Sequence, residues 1–155
     1  MVWESRPGTG SRGYSWPMVL QTSEVLINAR LSTVWDVLTD SGNMAVWNSG
    51  VTEIEGDLRD GETVRITTLG HDRPVRARVR QDTGEVMTWT SELPMRLLRV
   101  VRSFSLIPVS GRTLLKVTVE ASGLLLRWSS PATQQDLDDF VAAARHRAEL
   151  LDRTS

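Results

Sequence analysis

Residues 130–155 read SPATQQDLDDFVAAARHRAELLDRTS, and this stretch decides what the rest of the chain has to build. Leu137, Phe140, Val141, Ala144, Ala148 and Leu151 recur at steps of three and four, which puts them on one stripe of an α-helix. Ser130 offers a hydroxyl cap, and Pro131 fits the first helical position, where its missing N–H costs nothing. Asp136, Asp138 and Asp139 fall early and Arg145, Arg147 and Arg153 late, so the charges match the helix dipole. The spacing predicts one long amphipathic helix whose apolar stripe must lie on something.

The residues before it predict a sheet. Asp60-Gly61, Thr83-Gly84 and Ser110-Gly111 each separate alternating, β-branched runs, as tight turns between antiparallel strands require. Gly70-His71-Asp72-Arg73 and Leu93-Pro94-Met95 make two further breaks. Six successive strands follow, over 51–58, 63–69, 74–81, 85–93, 97–108 and 112–123, with no intervening helix long enough for a parallel crossover. A first strand reads over 16–29, where Val25, Ile27 and Ala29 alternate with Glu24, Leu26 and Asn28. Between it and the six, Ser32 caps a short helix over 33–39, Asp40-Ser41-Gly42-Asn43 breaks it, and Met44-Ala45-Val46-Trp47 forms a second short helical piece. The fold class is α+β: a seven-stranded antiparallel sheet wrapped around a long C-terminal helix, with two short helices between strands 1 and 2.

The chain's 155 residues suit a single domain over 16–155, preceded by a flexible arm over 1–15 that carries four glycines or prolines. That arm has no continuous apolar core of a secretory signal, and no run of 18 apolar residues occurs, so a cytoplasmic location without membrane insertion is expected. Eighteen Lys and Arg against 19 Asp and Glu give a net charge of −1, which supplies no global field for nucleic acid. The absence of cysteine excludes disulfides, thiolate nucleophiles, Cys-containing zinc sites and Fe–S clusters. The two histidines, His71 and His146, give no repeated metal-ligand spacing, so neither metal nor cofactor is expected. Gly8-Thr9-Gly10-Ser11-Arg12-Gly13 has the letters of a dinucleotide fingerprint but lacks the preceding strand and following helix that give it meaning.

Alternation sorts the strands into two faces. Ile54, Leu58, Val64, Ile66, Val75, Ala77, Val79, Met87, Trp89, Leu98, Val100, Phe104, Leu106, Leu115, Val117 and Val119 form the face toward the helix. Glu53, Glu55, Arg65, Arg76, Arg78, Arg80, Thr88, Thr90, Arg99, Ser103, Lys116, Thr118 and Glu120 form the face toward water. One helix of roughly 20 residues, about 30 Å long, cannot cover the inner face of seven strands. The surplus becomes a hydrophobic cavity, a core collapsed around the six tryptophans, or a dimer contact, which leaves both monomer and homodimer open.

The order strand, two short helices, six strands, long helix resembles the helix-grip fold of the START and birch-pollen-allergen (Bet v 1-like, SRPBCC) superfamily. Ser32-Thr33-Val34-Trp35-Asp36-Val37-Leu38-Thr39-Asp40 followed by Trp47-Asn48, and Arg102-Ser103-Phe104-Ser105-Leu106-Ile107-Pro108-Val109-Ser110-Gly111-Arg112-Thr113, are similar to stretches of its bacterial polyketide cyclase/dehydrase-like branch. The resemblance spans about residues 20–152. It implies an apolar cavity between sheet and last helix that binds lipids, hormones or polyketides, or cyclises polyketide chains. It carries over no catalytic residues, only Val34, Trp35 and Leu38 as packing and Trp47 near the cavity mouth.

Arg102 stands out because parity places it inward with Leu98, Val100, Phe104 and Leu106, where a guanidinium needs a partner. It is either an anchor for a carboxylate, phenolate or carbonyl of a ligand, or a strand-end, bulged or acid-paired residue. Thr68 and Ser91 share that face and can lend hydroxyls, although backbone satisfies most such groups. Met87, Trp89, Phe104, Phe140 and Ala144 line either a cavity or a plain core, and Trp47 forms either part of a lid or packing. Trp128 is expected to staple a loop to the sheet, His71 to sit in a solvated turn with Asp72, and His146 to face water. The arginines of the outer face read as a solvated surface interleaved with glutamates. The expected function is binding of a hydrophobic small molecule, lipid-like or polyketide-like, in an internal cavity. The alternatives are a cyclase, aromatase or dehydratase using the same cavity, and a protein-interaction module.

Overall fold

A computed structural model describes residues 18–47, 49–129 and 131–154. The arm over 1–15 and the Ser130 cap lie outside them. The elements run β1 (Met18–Ile27), α1 (Leu31–Thr39), β2 (Val51–Glu55), β3 (Thr63–Thr68), β4 (Val75–Asp82), β5 (Val86–Leu93), β6 (Leu98–Val109), β7 (Arg112–Ser122) and α2 (Gln134–Thr154). All seven strands join one antiparallel sheet in the order β1-β7-β6-β5-β4-β3-β2, so the meander closes back on its first strand through β1 against β7. The tight turn joining β6 to β7 has Ser110 at φ 50° and Gly111 at φ 82°, a mirror-image turn whose twist matches the flanking strands.

The core lies between the curled sheet and α2. Leu137, Phe140, Val141, Ala144 and Ala148 are buried, whereas Leu151 is 37% exposed, so the helical stripe ends one turn early. The helix rests mainly on β1, β7 and α1 rather than on β3, β4 and β5. The inner-face residues Val64, Ile66, Ala77, Val79, Met87 and Trp89 of those strands are nonetheless buried in the same core.

Four local expectations are corrected. First, α1 begins at Leu31 with Arg30 at its N-cap and no side-chain cap, rather than at a Ser32 cap. The neighbouring groups are committed elsewhere: Thr33 Oγ1 and Arg30 Nε both donate to Asp152 Oδ1 of α2, at 2.7 and 2.9 Å. Second, the helical piece after α1 is a single 3-10 turn at Ser41–Asn43, inside the stretch read as a break. Asn43 Nδ2 donating to Asp40 Oδ2 at 2.7 Å closes it, and residues 44–47 continue as turns.

Third, α2 opens at Gln134, beyond Pro131. Asp136 N donates to Thr133 Oγ1 at 3.1 Å while Thr133 N donates to Asp136 Oδ2 at 2.9 Å, a reciprocal capping box that fixes the start. Fourth, Val75 has inward parity but is 54% exposed, because it is the first residue of β4, at the edge of the core. On the outward face Glu53, Glu55, Arg65, Arg76, Arg78, Arg80, Arg99, Lys116 and Glu120 are exposed, whereas Thr88, Thr90, Ser103 and Thr118 are half-buried.

Candidate functional site

Strand register brings the inward aromatics together. Met87 pairs with Phe104 and Trp89 with Arg102 across β5 and β6, and Arg102 and Phe104 pair in turn with Val119 and Val117 of β7. Trp89 and Phe104 have ring centroids 4.7 Å apart, Phe104 and Phe140 5.6 Å, and Phe140 and Trp47 5.4 Å at a steep angle. These are the tilted and edge-on arrangements that aromatic quadrupoles favour. A continuous aromatic chain therefore runs from Trp47, after the first short helices, through α2 to the sheet. Met87 and Ala144 are fully buried beside it.

At the sheet end of this chain sits Arg102, with its guanidinium carbon 5.9 Å from the Trp89 ring centroid, within cation–π range. Arg102 makes no hydrogen bond or ion pair with any described residue. Burial pushes its guanidinium below the ordinary value, and the charge of Asp136, in the first turn of α2, acts more weakly in the opposite direction. The group stays protonated, as arginine does in proteins; it is half-buried and gives up part of its hydration without gaining an acceptor among the described residues. Trp89 Nε1 is buried and also lacks an acceptor among the described residues. Ser91, half-buried two residues further along the same face of β5, has no hydrogen-bonding partner for its side chain among the described residues.

The remaining candidates fall elsewhere. Thr68 ends β3, two strands from β5, and its hydroxyl lies 3.2 Å from His71 Nδ1 in the following turn. His146 faces solvent, as its helical phase requires. Trp128 does not staple its loop to the sheet: it is 73% exposed, with the Arg127 guanidinium 5.4 Å from its ring centroid. The buried hydroxyl of Thr113 is structural, donating to Ala29 O at 2.9 Å. Among the described residues no group of three or more acidic or histidine side chains is placed to hold a metal ion. What sequence reasoning missed is the free indole N–H of Trp89; residue type and parity mark the ring as inward but say nothing of where its nitrogen points.

The end of the sheet nearest this cluster is formed by the β3–β4 and β5–β6 turns, the segment between β7 and α2, and the first turn of α2. Beside the β5–β6 turn lies a groove of about 700 Å³ whose lining includes Leu93, Met95, Arg96, Leu98, Arg99 and Gly123.

A seven-stranded sheet curled against one long C-terminal helix, with short helices after its first strand, is the helix-grip architecture. The chain belongs to the family described as "Polyketide cyclase / dehydrase and lipid transport", whose profile matches residues 18–149. The norcoclaurine synthase of Thalictrum flavum, solved as a point mutant with a transition-state analogue, is similar with a TM-score of 0.68 at 13% identity over 91% of this chain and 99% of that one. A protein of Thermus thermophilus has a TM-score of 0.66 at 17% identity over 88% of this chain and 100% of that one. DynU16, from the dynemicin biosynthetic locus, has a TM-score of 0.63 at 17% identity over 86% of this chain but 48% of its own. At these identities the likeness is one of fold. No curated protein matches the sequence. Among the described residues no helix is long and apolar enough to cross a membrane.

Proposed function

We propose that the protein binds an apolar small molecule, lipid-like or polyketide-like, between the inner face of the sheet and α2. Arg102 is the polar anchor, and Trp47, Met87, Trp89, Phe104, Phe140 and Ala144 form the apolar wall. The observation that carries this reading is an inward, half-buried arginine set among apolar side chains, with no acidic side chain bonded to it among the described residues. A buried charge is costly unless something pairs with it. The aromatic chain supplies flat surface beside that charge. The family description names both polyketide chemistry and lipid transport, which suits a body of this kind.

The enzymatic alternative, a cyclase, aromatase or dehydratase, requires a proton-transferring group against the ligand. Among the described strand residues of the inner face, Arg102 is the one titratable side chain, and arginine is a poor proton donor at neutral pH. Binding is therefore the better supported reading.

Native mass spectrometry tests it on protein purified from its own host, comparing intact and denatured masses for wild type and Arg102→Ala. An apolar molecule released from wild type and depleted in the variant is expected. Wild-type protein that is empty, and takes up nothing from a lipid or polyketide extract, overturns the reading.

A further inference from the structure

Three donors meet on one wall of two neighbouring strands. Trp89 and Ser91 alternate onto the same face of β5, and Arg102 stands directly opposite Trp89 on β6. None of the three side chains has a hydrogen-bonding partner among the described residues. The contact Arg102 does make is with the face of the Trp89 ring, so the N–H edges of the guanidinium and the indole nitrogen have no acceptor among the described residues. Arginine and tryptophan donate and cannot accept, and a serine hydroxyl can turn to donate. A wall of unused donors is matched by a group that only accepts.

Charge narrows the class. A cationic head would meet Arg102 head-on. A neutral hydroxyl brings its own proton and leaves the guanidinium uncompensated. A phosphate near neutral pH carries close to two charges, while the wall offers one positive charge whose field Asp136 already offsets in part. A single negative charge delocalised over oxygen balances the wall and can take a paired bond from guanidinium.

We infer that the ligand's anchoring group is an organic monoanion, a carboxylate or a phenolate-type oxygen, seated against Arg102, Trp89 Nε1 and Ser91, with the apolar body running along Phe104 and Phe140. This rests on the small-molecule reading above and adds to it the chemistry of the head group.

The test uses the full chain and two matched probe series at pH 7, measured by isothermal titration calorimetry: dodecanoate, dodecan-1-ol, dodecylamine and dodecyl phosphate, and 2-naphthoate against 2-naphthalenemethanol. In at least one series the carboxylate is expected to bind at least about tenfold more tightly than its alcohol, since charge-assisted bonds are the stronger ones. Dodecylamine is expected to bind least. Arg102→Gln should bring the carboxylate down to the level of its alcohol, Arg102→Lys should keep part of the preference, and Trp89→Phe should reduce it, with thermal melts confirming that each variant folds. A carboxylate that binds no better than its alcohol, or a preference that survives Arg102→Gln, overturns the head-group assignment while leaving the small-molecule reading standing. Dodecyl phosphate binding more tightly than dodecanoate overturns the monoanion. Failure of wild type to bind any of the six probes overturns the assignment together with the reading beneath it.

Discussion

The two ends of the sheet are built on opposite terms. At the end where β1 finishes and α2 terminates, polar groups are used up by each other. Asp152 accepts from Arg30 Nε and Thr33 Oγ1, Glu149 accepts from the Asn28 backbone N–H at 2.8 Å, and Thr113 closes on Ala29 O. Val34, Leu38, Leu115 and Ala148 are fully buried there, whereas Leu150 and Leu151 near the end of α2 show a little over a third of their surface. At the end where α2 begins the balance is reversed. Leu69, Leu93, Met95, Leu124 and Trp128 are exposed, and Met95 and Arg96 at the tip of the β5–β6 turn both take φ of 58°, a conformation rare for side-chain-bearing residues. Trp89, Arg102 and Ser91, whose donors have no partner among the described residues, stand between the middle of β5 and β6 and this second end. One end is finished as structure, and the other is left incomplete where a ligand would complete it.

The largest expected effect separates the ends by comparing one residue type in two places. Leu115 is fully buried in β7, opposite Val25 and Leu106. Leu115→Ala is expected to cost about 2–5 kcal/mol through lost burial and the cavity left behind. Leu93→Ala, at a residue 46% exposed in the open end, is expected to cost under about 1 kcal/mol. Urea unfolding followed by circular dichroism measures both; equal losses would abolish the distinction between the ends.

A mid-sized effect shows that the open end is loose only in its side chains. Gly123, at φ 129°, follows β7, and a Cβ there would lie 2.6 Å from Leu97 O. The same carbonyl accepts from Leu125 N at 2.8 Å, tying the segment after β7 to the β5–β6 turn. Gly123→Ala must therefore shift backbone and is expected to cost about 1–3 kcal/mol. Hydrogen exchange should locate the loosening at residues 94–98 and 124–126. Wild-type stability and exchange in this variant would mean that the turn tolerates displacement and that its backbone ties are incidental.

Much of this contrast was legible in the sequence, and the illegible part has a common cause. The Ser110-Gly111 turn, the stripe from Leu137 to Ala148 and the inward parity of Arg102 are all set by local periodicity, and they hold in the structure. Periodicity could not say which of two neighbouring hydroxyls caps α2, because Thr133 earns the role through the reciprocal bond with Asp136. Nor could it foresee that Thr33 would be drawn to Asp152, across 119 residues of chain, leaving α1 without a side-chain cap. Trp128 misled for the opposite reason: its apolar ring suggested cover, but its loop lies at the end the core does not reach. Residue type and spacing place a side chain on a face, whereas the partner that satisfies or abandons its polar atoms comes from distant sequence.

The smallest expected effect concerns acid. Asp152 is held below the ordinary carboxylate range by the hydrogen bonds from Thr33 and Arg30, and Asp138 by those from Ser23, at 2.6 Å, and Gln134, at 3.0 Å. A carboxyl whose folded-state pKa is depressed stabilises the fold above its unfolded-state pKa, and that stability is lost as pH falls through the folded-state value. With unfolded aspartate near about 3.9, the contribution is complete by about pH 5 and declines below it. Both carboxyls reach solvent, so screening keeps each effect small and salt should weaken it further. Melting temperatures between pH 3 and 7 are expected to fall less steeply on the acid side for Asp152→Asn than for wild type, and likewise for Asp138→Asn. The two sites differ in position: Asp152 joins α2 to α1 at the finished end, whereas Asp138 ties the start of α2 to β1. Only the Asp138 change should also raise hydrogen exchange in the first turns of α2. An acid limb unchanged in both variants would show that these bonds orient the helix without holding it.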